Sequence, residues 1–264
     1  MSALHRTLAA LVLAAAPAFA QEAAAPKGPT PEEIKAAVAA CKEGLKSKEP
    51  AERQAAIEAA AKVDADAVAD EIGTALKDKE DSVAAAAMKA LGAMTCKDSL
   101  KELHRVAKGA DKKLQENGKL YGTLLRNIAL HGDKSSIEIL GDDALKNLDA
   151  EVARARIYGL GNIRDRAAVE KLIDLMSLGN PLPGEDAPYM PDARVALARL
   201  TGTDQTTNKS LWQEWWNKNK NGFKVSETPP ELPPDLQRQW DEYWTSNGVG
   251  KPMEHKSEGE KRGG

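Results

Sequence analysis

The sequence is poor in the side chains on which most enzymes rely. Its 264 residues include four histidines and two cysteines, and only 4% are aromatic. His5 lies near the N-terminus. His104, His131 and His255 are far apart, and none has a partner at metal-ligand spacing. No His-Glu-x-x-His or Cys-x-x-Cys occurs, which excludes the common zinc arrangements. Also missing are a Gly-x-Ser-x-Gly elbow, a phosphate-binding loop and a dinucleotide fingerprint. Stretches rich in Val, Ile, Thr and Tyr are absent, which argues against sandwiches and barrels. The formal net charge of −3 offers no general attraction for nucleic acid or anionic lipid. We therefore expect no catalytic residue, no cofactor and no metal.

What is present begins with an export signature. His5 and Arg6 form a short basic region, residues 8–16 an apolar one, and Ala18-Phe19-Ala20 a small-residue cleavage site before Gln21. Residues 1–20 thus read as a signal peptide, because the apolar run falls short of the about 20 residues that span a bilayer. No Cys follows the cleavage site, which argues against a lipid anchor. The expectation is a soluble periplasmic or extracellular protein with no stable membrane anchor after cleavage. Residues 21–30 read as a linker.

Helix should begin at Thr30-Pro31-Glu32-Glu33. Thr30 suits the N-cap, Pro31 the first helical position, and Glu33 completes a capping box. Beyond it the sequence repeats itself. The 27 residues from Ser82 align without gaps on those from Glu151, at a shift of 69. Val83 meets Val152, Leu91 meets Leu160, Gly92 meets Gly161 and Leu103 meets Leu172. A third copy places Ile128, Asp133, Ile137 and Leu140 in equivalent positions. It lies 37 residues after the first and 32 before the last, which implies an insertion between Lys108 and Gly118. An earlier copy fits less cleanly, with Ala55, Ala59, Val63, Val68 and Ile72 as its apolar positions.

Within one unit, Val83, Ala86, Ala90, Leu91 and Met94 share a helical face. After a short turn, Leu100, Leu103 and Val106 mark a second helix. Such a hairpin has too much apolar face to bury alone, so neighbours must stack. Gly92 and Gly161 mark tight packing or the start of the turn. The pattern Val-x-x-Ala-x-x-x-Ala/Gly-Leu-Gly resembles the short HEAT-like repeats of bilin-lyase-type and related bacterial solenoids over residues 51–178. It implies an all-α, right-handed solenoid of stacked helical hairpins over residues 31–202. It says little about function, because such repeats serve many partners.

Pro181, Pro183, Pro188 and Pro191 then forbid continuous helix, giving an extended loop that carries Tyr189 and Met190. Helix resumes from Asp192 to Leu200. All five tryptophans follow. Trp212, Trp215 and Trp216 fall on one helix face, and Leu236, Trp240 and Trp244 on another. The run Ala-Arg-Leu-Thr-Gly before this Trp-rich stretch resembles the tail of exported bacterial HEAT-repeat proteins. Residues 203–246 therefore read as a helical cap over the apolar end of the last repeat. The sharper alternative makes Tyr189, Met190, Trp212, Trp215, Trp216, Trp240 and Trp244 an interaction surface. Residues 247–264 read as a disordered polar tail.

Cys41 and Cys96 form a candidate disulfide, which an oxidising compartment permits. It would add roughly 4 kcal/mol in the chain-entropy model. Against it, Cys96 aligns with Asp165 in a turn while Cys41 lies in the first helix. Regular stacking would put a hairpin between them, beyond the roughly 7 Å limit between Cα atoms. The acidic cluster Asp64, Asp66, Asp70 and Glu71 lacks the spacing of a calcium loop and reads as helix capping, and Asp142-Asp143 as a turn. The stripe Lys97, Lys101, Arg105 and Lys108 is interrupted by Asp98 and Glu102 and reads as a solvated face. So does His104, while His131 reads as a surface or capping contact. The function expected is a non-enzymatic interaction or scaffold module with an envelope protein as partner and no nucleic acid. A peptide- or glycan-binding module using the Trp-rich end is the alternative. A lyase-type enzyme is a third reading, motivated by the repeat resemblance alone.

Overall fold

The computed structural model describes residues 28–110, 112–141, 149–178 and 189–246. Residues 1–20, expected as a signal peptide, most of the expected linker, Asp142-Asp143, residues 179–188 of the proline-rich stretch and residues 247–264 lie outside them. The protein is all-α. The helices are α1 (Pro31–Gly44), α2 (Pro50–Ala60), α3 (Asp66–Gly73), α4 (Asp81–Ala93), α5 (Lys97–Lys108), α6 (Lys112–Glu116) and α7 (Gly118–Leu130). They continue with α8 (Ile137–Gly141), α9 (Ala150–Asn162), α10 (Arg166–Leu178), α11 (Met190–Thr201), α12 (Lys209–Asn219) and α13 (Pro234–Ser246). No strand occurs among the described residues.

Local chemistry starts and stops these helices. Thr30 and Glu33 form the expected capping box, with Pro31 in the first turn of α1. The side chains of Asn117, Asp149 and Asn208 accept from the first free N–H groups of α7, α9 and α12. Gly202 ends α11 in the left-handed region, at φ 70°, where a Cβ would be strained. Thr201 Oγ1 donates back to the Leu197 carbonyl, and Asp204 pairs with Arg194, so the Leu-Thr-Gly stretch is a helix stop.

Two series of helices run side by side. In one, α2 packs on α4, α4 on α7, α7 on α9 and α9 on α11. In the other, α1 packs on α3, α3 on α5, α5 on α8, α8 on α10 and α10 on α12. The buried side chains form one continuous core from Cys41 to Trp244. Helix α4 shows why alanine is abundant. With neighbours on several sides it buries Val83, Ala84, Ala87, Met88, Ala90 and Leu91 rather than a single stripe. Ser82, Lys89 and Ala93 remain exposed, and Ala86, expected inside, is half-exposed.

The earlier copy corrects the sequence reading. Ala55 and Ala59 are exposed, whereas Arg53, Ile57 and Ala60 face inward. Alanine-rich helices carry little phase information, and the one bulky residue, Ile57, decides which face is buried. Arg53 Nε and Nη2 hold Asp78 at 2.8 Å each, and Nη1 donates to the Ser47 and Lys48 carbonyls. This clips the α1–α2 turn to the turn that precedes α4. The insertion after Lys108 contains the short helix α6.

Many polar links between the units fall at chain separations of 31–35 residues, with others at 28, 36, 38 and 40. Asp64 accepts from the Thr95 and Cys96 backbone N–H groups, 31 and 32 residues on. Asp66 accepts from the N–H of Asp98, again 32 residues on. Arg105 donates to the Gly73 carbonyl at a separation of 32, and Asn162 to the Ala129 carbonyl at 33. Tyr158 donates to Asp192 across 34 residues, and Arg164 to the Arg199 carbonyl across 35. Lys101 adds ion pairs to Asp98 and Asp70, the latter 31 residues back, at 3.9 Å. These separations fall close to the spacing of 32 between the second and third aligned copies.

Candidate functional site

The Trp-rich segment divides between two places. Helix α12 follows α10 in its series and seats Trp212 and Trp216 in the core. Trp212 Nε1 donates to the Thr206 carbonyl at 2.9 Å, and the Arg166 guanidinium lies 5.4 Å from the centre of Trp216. Trp215 is half-buried with its ring 5.3 Å from Phe223. Helix α13 packs instead on α11 and reaches α9. Its Leu236, Trp240, Tyr243 and Trp244 are all buried. The Tyr243 ring stacks on Tyr158 at 3.8 Å, and Trp240 lies 5.6 Å from Tyr158 with Arg199 over its ring at 4.8 Å. Gly161 lets Trp240 and Ala196 approach, since a Cβ there would lie 3.1 Å from the indole.

The candidate interaction surface is thereby corrected. Met190, Trp212, Trp216, Trp240 and Trp244 are buried, and only Tyr189 and Trp215 are half-exposed. Met190 does not sit in a loop, because α11 starts at it and takes Pro191 into its first turn. The seven residues are not brought into one site. One set meets Phe223 and Arg166, the other Tyr158, Tyr243 and Arg199.

The aromatic seam under α13 includes residues that periodicity did not single out. Tyr158 is fully buried and donates to Asp192 Oδ1 at 3.0 Å, and Arg154 pairs with the same carboxylate at 3.3 Å. Burial and the Asp192 charge push the Tyr158 phenol well above its ordinary range, so it stays a donor. A signal for this seam was present in the gapless alignment. Tyr158 stands where the equivalent helix carries the exposed Lys89. A large aromatic at a solvent position of the repeat marks the place where something covers it. Arg164 likewise anchors the segment before α13, donating to the Ser226 carbonyl at 2.8 Å and the Arg199 carbonyl at 2.6 Å.

Against known proteins, no family model matches the chain and no curated protein is similar to it. No group of three or more His, Cys, Asp or Glu among the described residues is placed to hold a metal. No helix among them is long and apolar enough to cross a membrane. The acidic cluster caps: Asp64 and Asp66 bind the start of α5, and hydrogen bonds from Thr95 and Cys96 outweigh burial to hold Asp64 below its ordinary value.

The disulfide considered from the sequence is not formed. Cys41 and Cys96 are free thiols, Cys41 buried on α1 and Cys96 at the N-cap of α5. Helix α3 packs against both helices and separates them. Burial pushes both thiols up to about 11, which makes them poor nucleophiles. Alkylation of the unreduced protein should be slow in buffer and should add two labels once the chain is unfolded. No label on the unfolded, unreduced chain would show a bridge, because a bridge consumes both thiols.

His104 does not lie on a solvated face. It is half-buried, with Nε2 2.9 Å from Ser136 Oγ of the next unit. His131 Nε2 meets the Leu91 carbonyl at 3.1 Å in a buried capping contact. Burial, with Lys108 beside it, lowers the His104 imidazole to about 4. An unfolded imidazole takes up its proton near pH 6.5, roughly. The unfolded state therefore binds more protons between these values, and stability falls as pH drops from about 6.5 towards 4. Allowing for partial exposure, the loss is about 1–2 kcal/mol. Urea midpoints at neutral and mildly acid pH should show it, and His104→Gln should flatten the dependence. An unchanged dependence in that variant would remove His104 as its source.

Proposed function

We propose that the protein is a non-enzymatic interaction or scaffold module of the bacterial cell envelope, built as a right-handed α-solenoid of HEAT-like repeats. The observation that carries this reading is the run of polar links between units at 31–35 residues, together with two series in which each helix packs on the next. Such arrays hold a row of helices at regular spacing and present an extended face to partners. On the α2–α4 side, Glu58, Lys89 and Ala93 stay exposed and form part of that face. Export rests on the sequence of residues 1–20.

A photoreactive residue in place of Lys89 or Ala93, in the native host, should yield one discrete protein adduct in the envelope. Recovery of the uncoupled monomer at every such position would count against a scaffold. A peptide- or glycan-binding role for the Trp-rich end is the second reading, favoured by the half-exposed Trp215. Saturable changes in indole emission with cell-wall fragments would support it. An unresponsive emission spectrum leaves the tryptophans as a cap.

A further inference from the structure

We propose that the turn closing α12 docks the protein on an anionic lipid surface. The charge of the whole chain gives no such attraction, but its C-terminal part is segregated. Residues 209–224 carry Lys209, Lys218, Lys220 and Lys224 against one carboxylate, Glu214. Residues 225–246 reverse this, with Glu227, Glu231, Asp235, Asp241 and Glu242 against Arg238. On the neighbouring α10, Arg166 is paired with Glu170 and so leaves the balance unchanged. Among the described residues, none of Lys218, Lys220 and Lys224 enters an ion pair. Lys220 donates to Asn217 Oδ1 at 3.3 Å, and Lys218 and Lys224 are exposed.

Apolar groups are left uncovered at the same place. Leu211, 41% exposed, is the exposed large hydrophobic residue among the described ones. Trp215 lies one turn along the same face of α12, half-buried, with the half-buried Phe223 folded against it. The turn is open to its surroundings, for nothing lies within 4 Å of a Cβ built on Gly222. Lysines at a helix C-terminus are favoured by the helix dipole alone. That accounts for Lys218, but not for Lys224 beyond the helix or for the uncovered Leu211 and Trp215. Sugars and peptides are taken up in concave sites. An exposed turn with an aromatic edge and unpaired lysines suits a bilayer interface, where indoles sit at headgroup level and lysines meet lipid phosphates.

The test is sedimentation of the full chain with vesicles of phosphatidylglycerol and phosphatidylcholine in equal parts, beside vesicles of phosphatidylcholine alone. Residues 8–16 and the basic residues at both ends of the chain are the same in variant and wild type, so the difference between these two proteins reports on the turn. Each lysine near an anionic surface contributes a factor of about five, so the triple variant Lys218→Gln, Lys220→Gln, Lys224→Gln should partition about a hundredfold more weakly. On neutral vesicles the two proteins should be alike, and high salt should release the wild type from anionic ones. Equal partitioning of variant and wild type, no preference of the wild type for anionic vesicles, or binding to a soluble polyanion without binding to vesicles would each overturn the proposal. If the variant loses its far-UV dichroism, quenching of wild-type emission by brominated anionic lipid decides. Quenching that Trp215→Phe largely removes supports the proposal, and quenching that this change leaves intact overturns it.

Discussion

Trp240→Ala should destabilise the C-terminal units by about 3–5 kcal/mol, the usual cost of emptying a fully packed aromatic site. Trp240 is 2% exposed. It sits among Tyr158, Trp244 and Arg199, over the backbone gap that Gly161 leaves. The loss should be local. In an array whose units touch only their neighbours, removing a contact at one end weakens that end first. Hydrogen exchange should therefore accelerate in α9, α11 and α13 and stay unchanged in α2 and α4. The control is Leu211→Ala, at an exposed site, where less than about 0.5 kcal/mol is expected. Equal stability of Trp240→Ala and wild type would mean that α13 does not cover α9 as described.

Gly161→Val should cost more than about 3 kcal/mol, because overpacking against backbone has no cheap relief. A Cβ on Gly161 would lie 2.8 Å from the Ala196 Cβ and 2.9 Å from its Cα. Helices α9 and α11 would have to part, taking the seat of Trp240 with them. The smaller change Gly161→Ala is the more telling one. In an open helix interior, Gly to Ala gains about 1 kcal/mol. Here the sign should reverse. Gly222→Ala, where a Cβ meets nothing, should be close to neutral. Chemical denaturation of the three variants measures this, and a stabilising Gly161→Ala would contradict the close approach.

The two glycines also show what the sequence makes legible. Gly92 and Gly161 stand out because two copies align, and each does mark a close helix contact: a Cβ would strike Asn127 at one and Ala196 at the other. Helix starts such as Thr30 are readable because capping is local chemistry. Helix phase is readable where bulky residues set it and lost where alanines dominate, as at Ala55 and Ala59. Met190 opens α11 although the sequence places it in a loop, because a proline signals a break without saying on which side of it the helix begins. The burial of His104 depends on Ser136 of the following unit, 32 residues on, and no local pattern reports that contact. The return of α13 over α9 is a tertiary event. Its only trace is the substitution of a tyrosine for a lysine at a repeat position.

The central claim is that consecutive units stack in register, each turn against the next. Zero-length carbodiimide coupling of lysines to carboxylates in the native protein tests it most directly. Lys101 lies 3.9 Å from Asp70, and Lys171 lies 3.6 Å from Glu138, each pair about one unit apart in the chain. Mass spectrometry should find both cross-links, with no links joining α1 to α12. Links confined to neighbours within single helices, or joining units two or more apart, would contradict the stack.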